Sequence, residues 1–480
     1  MDLTEITAAV QQHPDIDDAL VTTAASPHSV GQELVVYAVP STSAQRWGRL
    51  VETATATLVD GMARHHEGLQ VWREFWDTLD EISVLVMART LAQLEAFRGA
   101  NDVASAQTLM QRCAVAPDHD PLFRQWLRVL ADNGILRHGA GPDEYVCPEP
   151  LSAVDLDEQV QKRLAALVVD GVERVFTDYF VSSAAQQVDL LRGEASPLPL
   201  LFPDGDPTLA ETFYARNPVS IVLNGVLAEI AREVVELGTT GRPVRILEIG
   251  AGTGATSTTV LKRLPGERTR YCFTDVSQYF TDHAKERFTE YSFVEYSVLD
   301  LNNDPTDQGF EPGSFDIIIG ANVIHTARRI DHALERLRPL LSPCGLLVAV
   351  ERTANTPVQM VTVGFLEGFS YYEDQRKEFN LPLLPPEGWV TALQDGGFHR
   401  IATFPHGAAA ATELAEHVIV AELSPDGRPV AQRVALHSDL ASLLPDPDTA
   451  FHIVPLEQLP RRADGLVDER VLPSPWDDKA

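Results

Sequence analysis

Residues Val244 to Thr259 read V-R-I-L-E-I-G-A-G-T-G-A-T-S-T-T, and no other stretch constrains the fold of this chain as strongly. Val244 to Ile249 is a short, mostly apolar run of the kind that forms a parallel strand buried on both faces. Gly250, Gly252 and Gly254 follow it, and Ala255 to Leu264 has the composition of a helix. Glycine has no side chain to hold a ligand away from the backbone, and the free N–H groups of a helix start favour an electron-rich group. A strand, a glycine turn and a helix in this order imply an α/β fold with a nucleotide-type cofactor at the turn.

Two kinds of cofactor fit that turn. Gly250, Gly252 and Ala255 satisfy the relaxed dinucleotide pattern G-x-G-x-x-A. Glu248, however, extends the turn to E-x-G-x-G-x-G, and a second strand, Tyr271 to Thr274, ends in Asp275. An acid at that strand end can accept hydrogen bonds from both ribose hydroxyls. A carboxylate beside the turn suits a cationic cofactor and repels a pyrophosphate. These residues resemble motif I of the class I S-adenosylmethionine (SAM) methyltransferases. The resemblance implies SAM as cofactor, with a dinucleotide or a vestigial empty pocket as the alternatives.

The chain has 480 residues, enough for two to four domains. Its net charge of −31 argues against a general nucleic-acid surface, which needs clustered Lys and Arg. Cys113, Cys147, Cys272 and Cys344 are scattered, without a CxxC pair or a nearby His at ligand spacing, so they read as buried free thiols and no metal site is expected. No apolar run of about 20 residues and no charged-then-apolar leader is present, which leads us to expect no membrane segment and a reducing cytoplasm. No internal repeat occurs.

Along the chain, Leu3 to His13 is an amphipathic segment, followed by strand candidates Ala19 to Thr23 and Glu33 to Val39. With the H-P dipeptide at His13 and Pro14 and the run L-V-V-Y-A-V-P, this part resembles the small C-terminal subdomain of nonribosomal peptide synthetase adenylation domains. The other half of that pattern lies within Leu440 to Pro475, in H-I-V-P-L-E-Q-L-P-R-R-A-D-G-L-V-D-E-R-V-L-P. The resemblance implies one small α+β subdomain split by a large insertion. Leu466 stands where that family carries its catalytic lysine, and the large nucleotide-binding portion has no counterpart, so adenylation is not expected. No G-G-x-S-like carrier site is evident either.

Residues 45 to 185 read as helical, with Ala44 to His65, Leu69 to Gly99, Val103 to Cys113 and Asp120 to Asn133. A hairpin pattern, G-I-L-R-H-G-A-G-P-D-E-Y-V-C, comes next. This order suggests a winged-helix-like lid with a structural or dimerising role, since Pro121 to Asn133 carries few cations. Helices over 155 to 192 lead through L-L-R-G-E-A-S-P-L-P-L-L-F-P-D-G to Phe213-Tyr214-Ala215-Arg216-Asn217-Pro218 and a helix from Val219 to Leu237. That succession resembles the lid of polyketide and hybrid-line C-methyltransferase domains. Seven strands are then expected at 244–249, 271–274, 292–296, 315–319, 345–350, 400–404 and 417–422, the last pair supplying an antiparallel strand. The division is 1–43 and 425–480 for the split subdomain, 44–243 for the lid and acceptor region, and 244–424 for the SAM-binding core.

In an open parallel sheet ligands sit beyond the carboxyl ends of the strands. Past the third strand stand Leu299, Asp300 and Leu301, where the acid can hold the adenine amino group between the leucines, or merely be a solvated loop acid. Past the fourth come Ala321-Asn322-Val323-Ile324-His325, and past the fifth Glu351. If those strands are neighbours, His325 and Glu351 meet beside the cofactor. Methylating carbon requires an enolate and hence a base, and a histidine whose tautomer is fixed by a carboxylate is suited to that. The family resembled here has A-N-V-L-H-A-T and a His–Glu dyad, against A-N-V-I-H-T-A in this chain, and it continues through T-V-G-F-L-E-G-F and L-P-L-L-P-P-E-G-W. The resemblance spans about residues 70 to 424. It breaks at Phe369-Ser370-Tyr371-Tyr372-Glu373-Asp374, where the family has paired tryptophans and a W-x-F-x-D run. Tyr214 is a candidate to close over the methyl group or to bond the acceptor, with a plain core aromatic as the alternative. Arg328, Arg329, Arg336 and Arg338 can attract a phosphopantetheine phosphate or form a solvated helix face.

Together these features imply a SAM-dependent methyltransferase of a nonribosomal peptide or hybrid peptide-polyketide line. Its substrate is an acyl, aminoacyl or thiazoline-type group tethered to a carrier protein, methylated at the α-carbon. Methylation of nitrogen or oxygen is the first alternative, an epimerase that only moves the α-proton the second, and a non-enzymatic docking module the third.

Overall fold

The computed structural model describes residues 3–11, 16–25, 32–40, 42–167, 171–203, 206, 208–238, 242–406, 414–423, 451–456, 459–462 and 466–472. The chain forms two compact units, Met1–Thr53 with Gly427–Ala480, and Ala54–Asp426.

In the larger unit the apolar runs form one seven-stranded sheet. In chain order its strands are Val244–Ile249, Thr269–Asp275, Val294–Val298, Phe315–Ala321, Leu341–Arg352, Phe398–Phe404 and Glu416–Leu423. Their spatial order is sixth, seventh, fifth, fourth, first, second, third. The first five are mutually parallel, and the seventh runs antiparallel to both the fifth and the sixth. The order reverses between the first and fourth strands, and that switch point is where such a sheet opens a crevice at its carboxyl edge. The I-I-I run of the fourth strand, Ile317 to Ile319, is fully buried, as a strand covered on both faces requires. The fifth strand starts earlier than its apolar run, at Leu341, with a register irregularity between Leu341 and Leu346 where Cys344 takes φ +57°. The third strand lies two residues later than its pattern suggests. The helix after the glycine turn ends at Leu261, short of Leu264.

The lid holds a three-stranded sheet in which Glu144–Cys147 lies between Asp102–Ser105 and Arg137–His138. Val103 to Cys113 is therefore not one helix. Asp102–Ser105 pairs with the hairpin, and the Ser105 side chain accepts a hydrogen bond from Thr108 N, capping a helix that begins only at Ala106. The long helix is His66–Gln93 rather than Leu69 to Gly99. The helix Asp120–Asp132, which a DNA-binding winged helix would leave free, is instead docked inward: Trp126 Nε1 donates to Met360 O at 3.2 Å, and Arg128 donates to the carbonyls of Phe379 and Asn380 at 2.8 and 3.1 Å. Arg124 is paired with Asp120 and Asp143.

In the smaller unit the helix Leu3–Gln11 packs on an antiparallel pair, Ile16–Ala25 with Gln32–Pro40, and Phe451–Pro455 adds a third, parallel strand beside Leu34 to Ala38. Alternation along L-V-V-Y-A-V separates two cores, with Leu34, Val36 and Ala38 facing Ile6 and Val10 while Val35, Tyr37 and Val39 face Val454 and Leu459. His13, Pro14, residues 440–450 and most of the Ala-rich loop before the seventh strand lie outside the described residues.

Candidate functional site

The glycine turn is built from positive φ angles at Gly250, Gly252 and Gly254, of 53°, 53° and 76°. Asp275 supports it from the neighbouring strand end, its Oδ2 accepting from Gly252 N at 2.9 Å and its Oδ1 from Ser277 N at 2.8 Å. Glu248 is 1% exposed, and its Oε2 accepts from the Ser257 and Tyr271 hydroxyls at 2.5 and 2.6 Å. The cleft above the turn is lined by Glu248, Gly250, Gly252, Thr256, Asn322 and Glu416, together with lid residues including Phe202 and Tyr214.

The fourth and fifth strands are neighbours, and His325 and Glu351 meet at their ends. His325 Nδ1 lies 2.5 Å from Glu351 Oε2, with side chains 4% and 0% exposed. Glu351 Oε1 accepts from Ile324 N at 2.8 Å and Val323 N at 3.3 Å, so the carboxylate is fixed by the backbone of the turn that carries His325. Asn322, at φ +53°, ties this turn to the fifth strand by donating its N–H to Val350 O at 2.7 Å and accepting from Arg352 N at 3.0 Å. His325 lines a second cavity with Trp76, Phe176, Phe213, Arg352 and Phe369. Tyr214 and Asn322 line both cavities and form the partition between them.

Comparison with known proteins places this chain in a family. A methyltransferase-domain family matches residues 247–347. Polyketide synthase ThaQ of Burkholderia thailandensis is 33% identical over 301 residues, 60% of this chain and 14% of ThaQ. Pyochelin synthetase PchF of Pseudomonas aeruginosa is 29% identical over 488 residues, 98% of this chain and 26% of PchF. This chain thus spans a minor part of the length of these curated relatives. The crystal structure of the CurJ carbon methyltransferase matches with a TM-score of 0.70 and 30% identity, over 80% of this chain and 99% of that one. The chain belongs to the SAM-dependent methyltransferases of polyketide and nonribosomal peptide assembly lines.

The residues of this methyltransferase fit SAM. A Cβ built on Gly252 would meet nothing nearer than Gly250 O at 4.0 Å, so the turn leaves open space where a cofactor backs onto it. The cleft is acidic, and Glu416 Oε2 is buried in it without a hydrogen-bond partner among the described residues, an arrangement that suits a cation.

Other expected positions behave differently. Asp300 turns its carboxylate into its own loop, accepting from Asn302 N at 2.9 Å and Asn303 Nδ2 at 2.7 Å. Leu301 is packed into the core beneath the sheet edge. Neither lines the cleft. Gly254 serves packing, since a Cβ there would come within 2.8 Å of the Phe288 ring. Arg329 pairs with Asp331 at 2.5 Å and Arg336 donates to Leu301 O at 3.0 Å, leaving both committed locally. Tyr214 sits in a π-helical turn, Thr212–Arg216, whose carbonyl at Tyr214 accepts from Asn224 Nδ2 at 3.1 Å. Asn224 in turn accepts from Thr256 at 3.0 Å, linking the lid to the helix after the glycine turn. Burial pushes the Tyr214 hydroxyl up to about 12, so it stays protonated and can donate.

The divergent stretch after Phe369 holds the segment that carries His325. The Phe369 ring lies 5.4 Å from the His325 ring. Asp374 pairs with the fully buried Arg376 at 2.8 Å, and that guanidinium donates to His325 O at 2.6 Å and Ala327 O at 2.7 Å. Sequence reasoning missed Arg376, as it did Arg352, whose guanidinium stacks 4.7 Å over Trp76 and lies 3.2 Å from Glu416. The E-R pair at the end of the fifth strand was the available signal for the latter.

Burial pushes the Glu248 carboxyl up to about 7, outweighing the two hydroxyl hydrogen bonds that pull it down. Its contribution to stability is complete below the ordinary value of 4.5 and is lost as pH rises through about 7. Glu248→Gln, which can still accept from both hydroxyls, is expected to remove a loss of roughly 3 kcal/mol between acid and mildly alkaline pH. Chemical denaturation of both proteins across that range measures it, and parallel pH profiles would refute the assignment.

Proposed function

We propose that this methyltransferase methylates the α-carbon of an acyl or aminoacyl group held as a thioester on a carrier protein. The observation that carries the reading is the buried His325–Glu351 pair, whose histidine lines a cavity that shares Tyr214 and Asn322 with the cofactor cleft. When bound, SAM supplies an electrophilic methyl group on a sulfonium. His325 takes the proton from the acceptor carbon, and the electron pair of the broken C–H bond remains as an enolate. Glu351 holds the Nδ1 proton and stabilises the imidazolium that forms. Tyr214 donates to the acceptor across the partition. Glu248, Gly250, Gly252, Asp275 and Asn322 hold the cofactor, with Gly254 shaping the turn.

The two ends of the chain are proposed to be halves of one adenylation-type subdomain, 1–43 and 425–480, flanking a lid at 44–243 and a core at 244–424. This rests on the sheet that Phe451–Pro455 completes beside Gln32–Pro40. Leu466 is 59% exposed at the position of the adenylation lysine, so this subdomain serves as a scaffold within the assembly line. Four free thiols suit a reducing cytoplasm. Among the described residues, no helix is long and apolar enough to cross a membrane.

The test is incubation with methyl-labelled SAM and pantetheine thioesters, followed by mass spectrometry. A label on the α-carbon is expected. A label on nitrogen or oxygen would replace the acceptor, and proton exchange without methylation would leave the epimerase reading.

A further inference from the structure

Among the described residues, two polar side chains in the aromatic cavity beside His325 have buried atoms without partners. Gln359 is 4% exposed and its Oε1 makes no hydrogen bond, and Arg352 Nε is in the same condition. Both residues line the cavity, whose other walls include Trp76, Phe176, Phe213 and Phe369. Buried amide and guanidinium atoms nearly always find partners, because an unpaired one gives up its hydration for nothing. Arg352 is not loose, since it is stacked on Trp76, and Glu416 engages its Nη1. What remains is a fixed N–H donor and an amide able to accept, set in apolar walls beside the base.

Resting on the reading that this cavity takes a carrier-tethered acceptor, we propose that Arg352 and Gln359 form a polar subsite for a carbonyl oxygen with an N–H close beside it, the pattern of an α-aminoacyl thioester. Arg352 donates to the thioester oxygen, and the Gln359 amide oxygen accepts from the α-nitrogen. A plain acyl chain satisfies only the first. Charge supports the oxygen contact, because a guanidinium at that oxygen stabilises the enolate that proton removal creates. The amides of the pantetheine arm carry the same pattern, so the ligand has two sources to be told apart.

Calorimetric titration of the full chain, saturated with S-adenosylhomocysteine, with S-alanyl, S-propionyl and S-propyl pantetheine separates them. An aminoacyl subsite binds the alanyl compound about tenfold tighter than the propionyl, and the propionyl about tenfold tighter than the carbonyl-free S-propyl compound. Gln359→Leu then erases the first step and Arg352→Met the second. A subsite for the pantetheine arm gives equal affinities for all three, each weakened about tenfold by either variant, and it supports the subsite with the arm as ligand. Affinities that neither variant changes overturn the subsite and leave the acceptor reading standing. No binding of any of the three overturns the acceptor reading and the subsite with it. Retained S-adenosylhomocysteine affinity identifies a folded variant, and Arg352→Lys, which keeps the charge but not the fork, replaces Arg352→Met where the latter does not fold.

Discussion

Replacing His325 with alanine is expected to lower the rate of methyl transfer to a carbon acceptor by about 10²–10⁴-fold, the usual contribution of a positioned general base. The expectation follows from how completely the pair is held. Glu351 accepts from Ile324 N and Val323 N through one oxygen and faces His325 Nδ1 through the other, so the ring cannot turn without leaving the buried Oε2 without its partner. With Nδ1–H donating to Glu351, Nε2 is the basic nitrogen. In His325→Ala the carboxylate keeps its two backbone donors, and the cleft over Gly252 is untouched, so SAM affinity should be unchanged. Glu351→Gln should cost less, because an amide still fills the site but no longer stabilises the imidazolium. Single-turnover transfer of labelled methyl, together with a SAM titration, separates chemistry from binding. Wild-type turnover in His325→Ala would remove the base assignment and turn attention to nitrogen, which needs little help in losing a proton.

The parts of this molecule that could be read from its sequence are those in which local pattern and tertiary role coincide. Val244 to Ile249 and Phe315 to Ile319 are apolar because both faces are covered, and the positions after such strands line the ligand edge, which is why His325 and Glu351 could be paired across 26 residues of sequence. Asp300 and Leu301 follow the same positional rule, yet the loop closes on itself: Asn302 and Asn303 satisfy the acid, and the leucine finds the core. Position after a strand fixes the neighbourhood of a side chain but not its direction. Val103 to Cys113 misled for a related reason. Ser105 both ends a strand and caps a helix, and only the distant hairpin at Glu144–Cys147 reveals the first of these roles. The walls of the cavity beside His325 were the least legible part. Trp76, Phe176 and Phe213 come from separate lid helices, and nothing local distinguishes them from core aromatics.

Gly252→Ala and Gly250→Ala, two residues apart and at the same φ of +53°, are expected to fail in different ways. An alanine Cβ at 250 would lie 2.2 Å from Val323 Cγ2, well inside any tolerable contact, and Val323 belongs to the turn that carries His325. That clash adds to the cost of a side chain in the left-handed region, so Gly250→Ala should lose about 2–5 kcal/mol of stability and disturb the base as well. At 252 the nearest atom is Gly250 O at 4.0 Å, so the protein itself offers no obstacle, and only the backbone cost of about 1–2 kcal/mol applies. The methyl group would instead occupy the floor of the cleft, where we place SAM. Gly252→Ala should therefore melt close to the wild type and bind SAM roughly 10–100-fold more weakly, with His325 and Glu351 still in register. Thermal melts and calorimetry on the two variants read stability and affinity separately. A Gly252→Ala protein that binds SAM as tightly as the wild type would move the cofactor off the turn, and with it the argument that the acidic cleft and the base face the same methyl group.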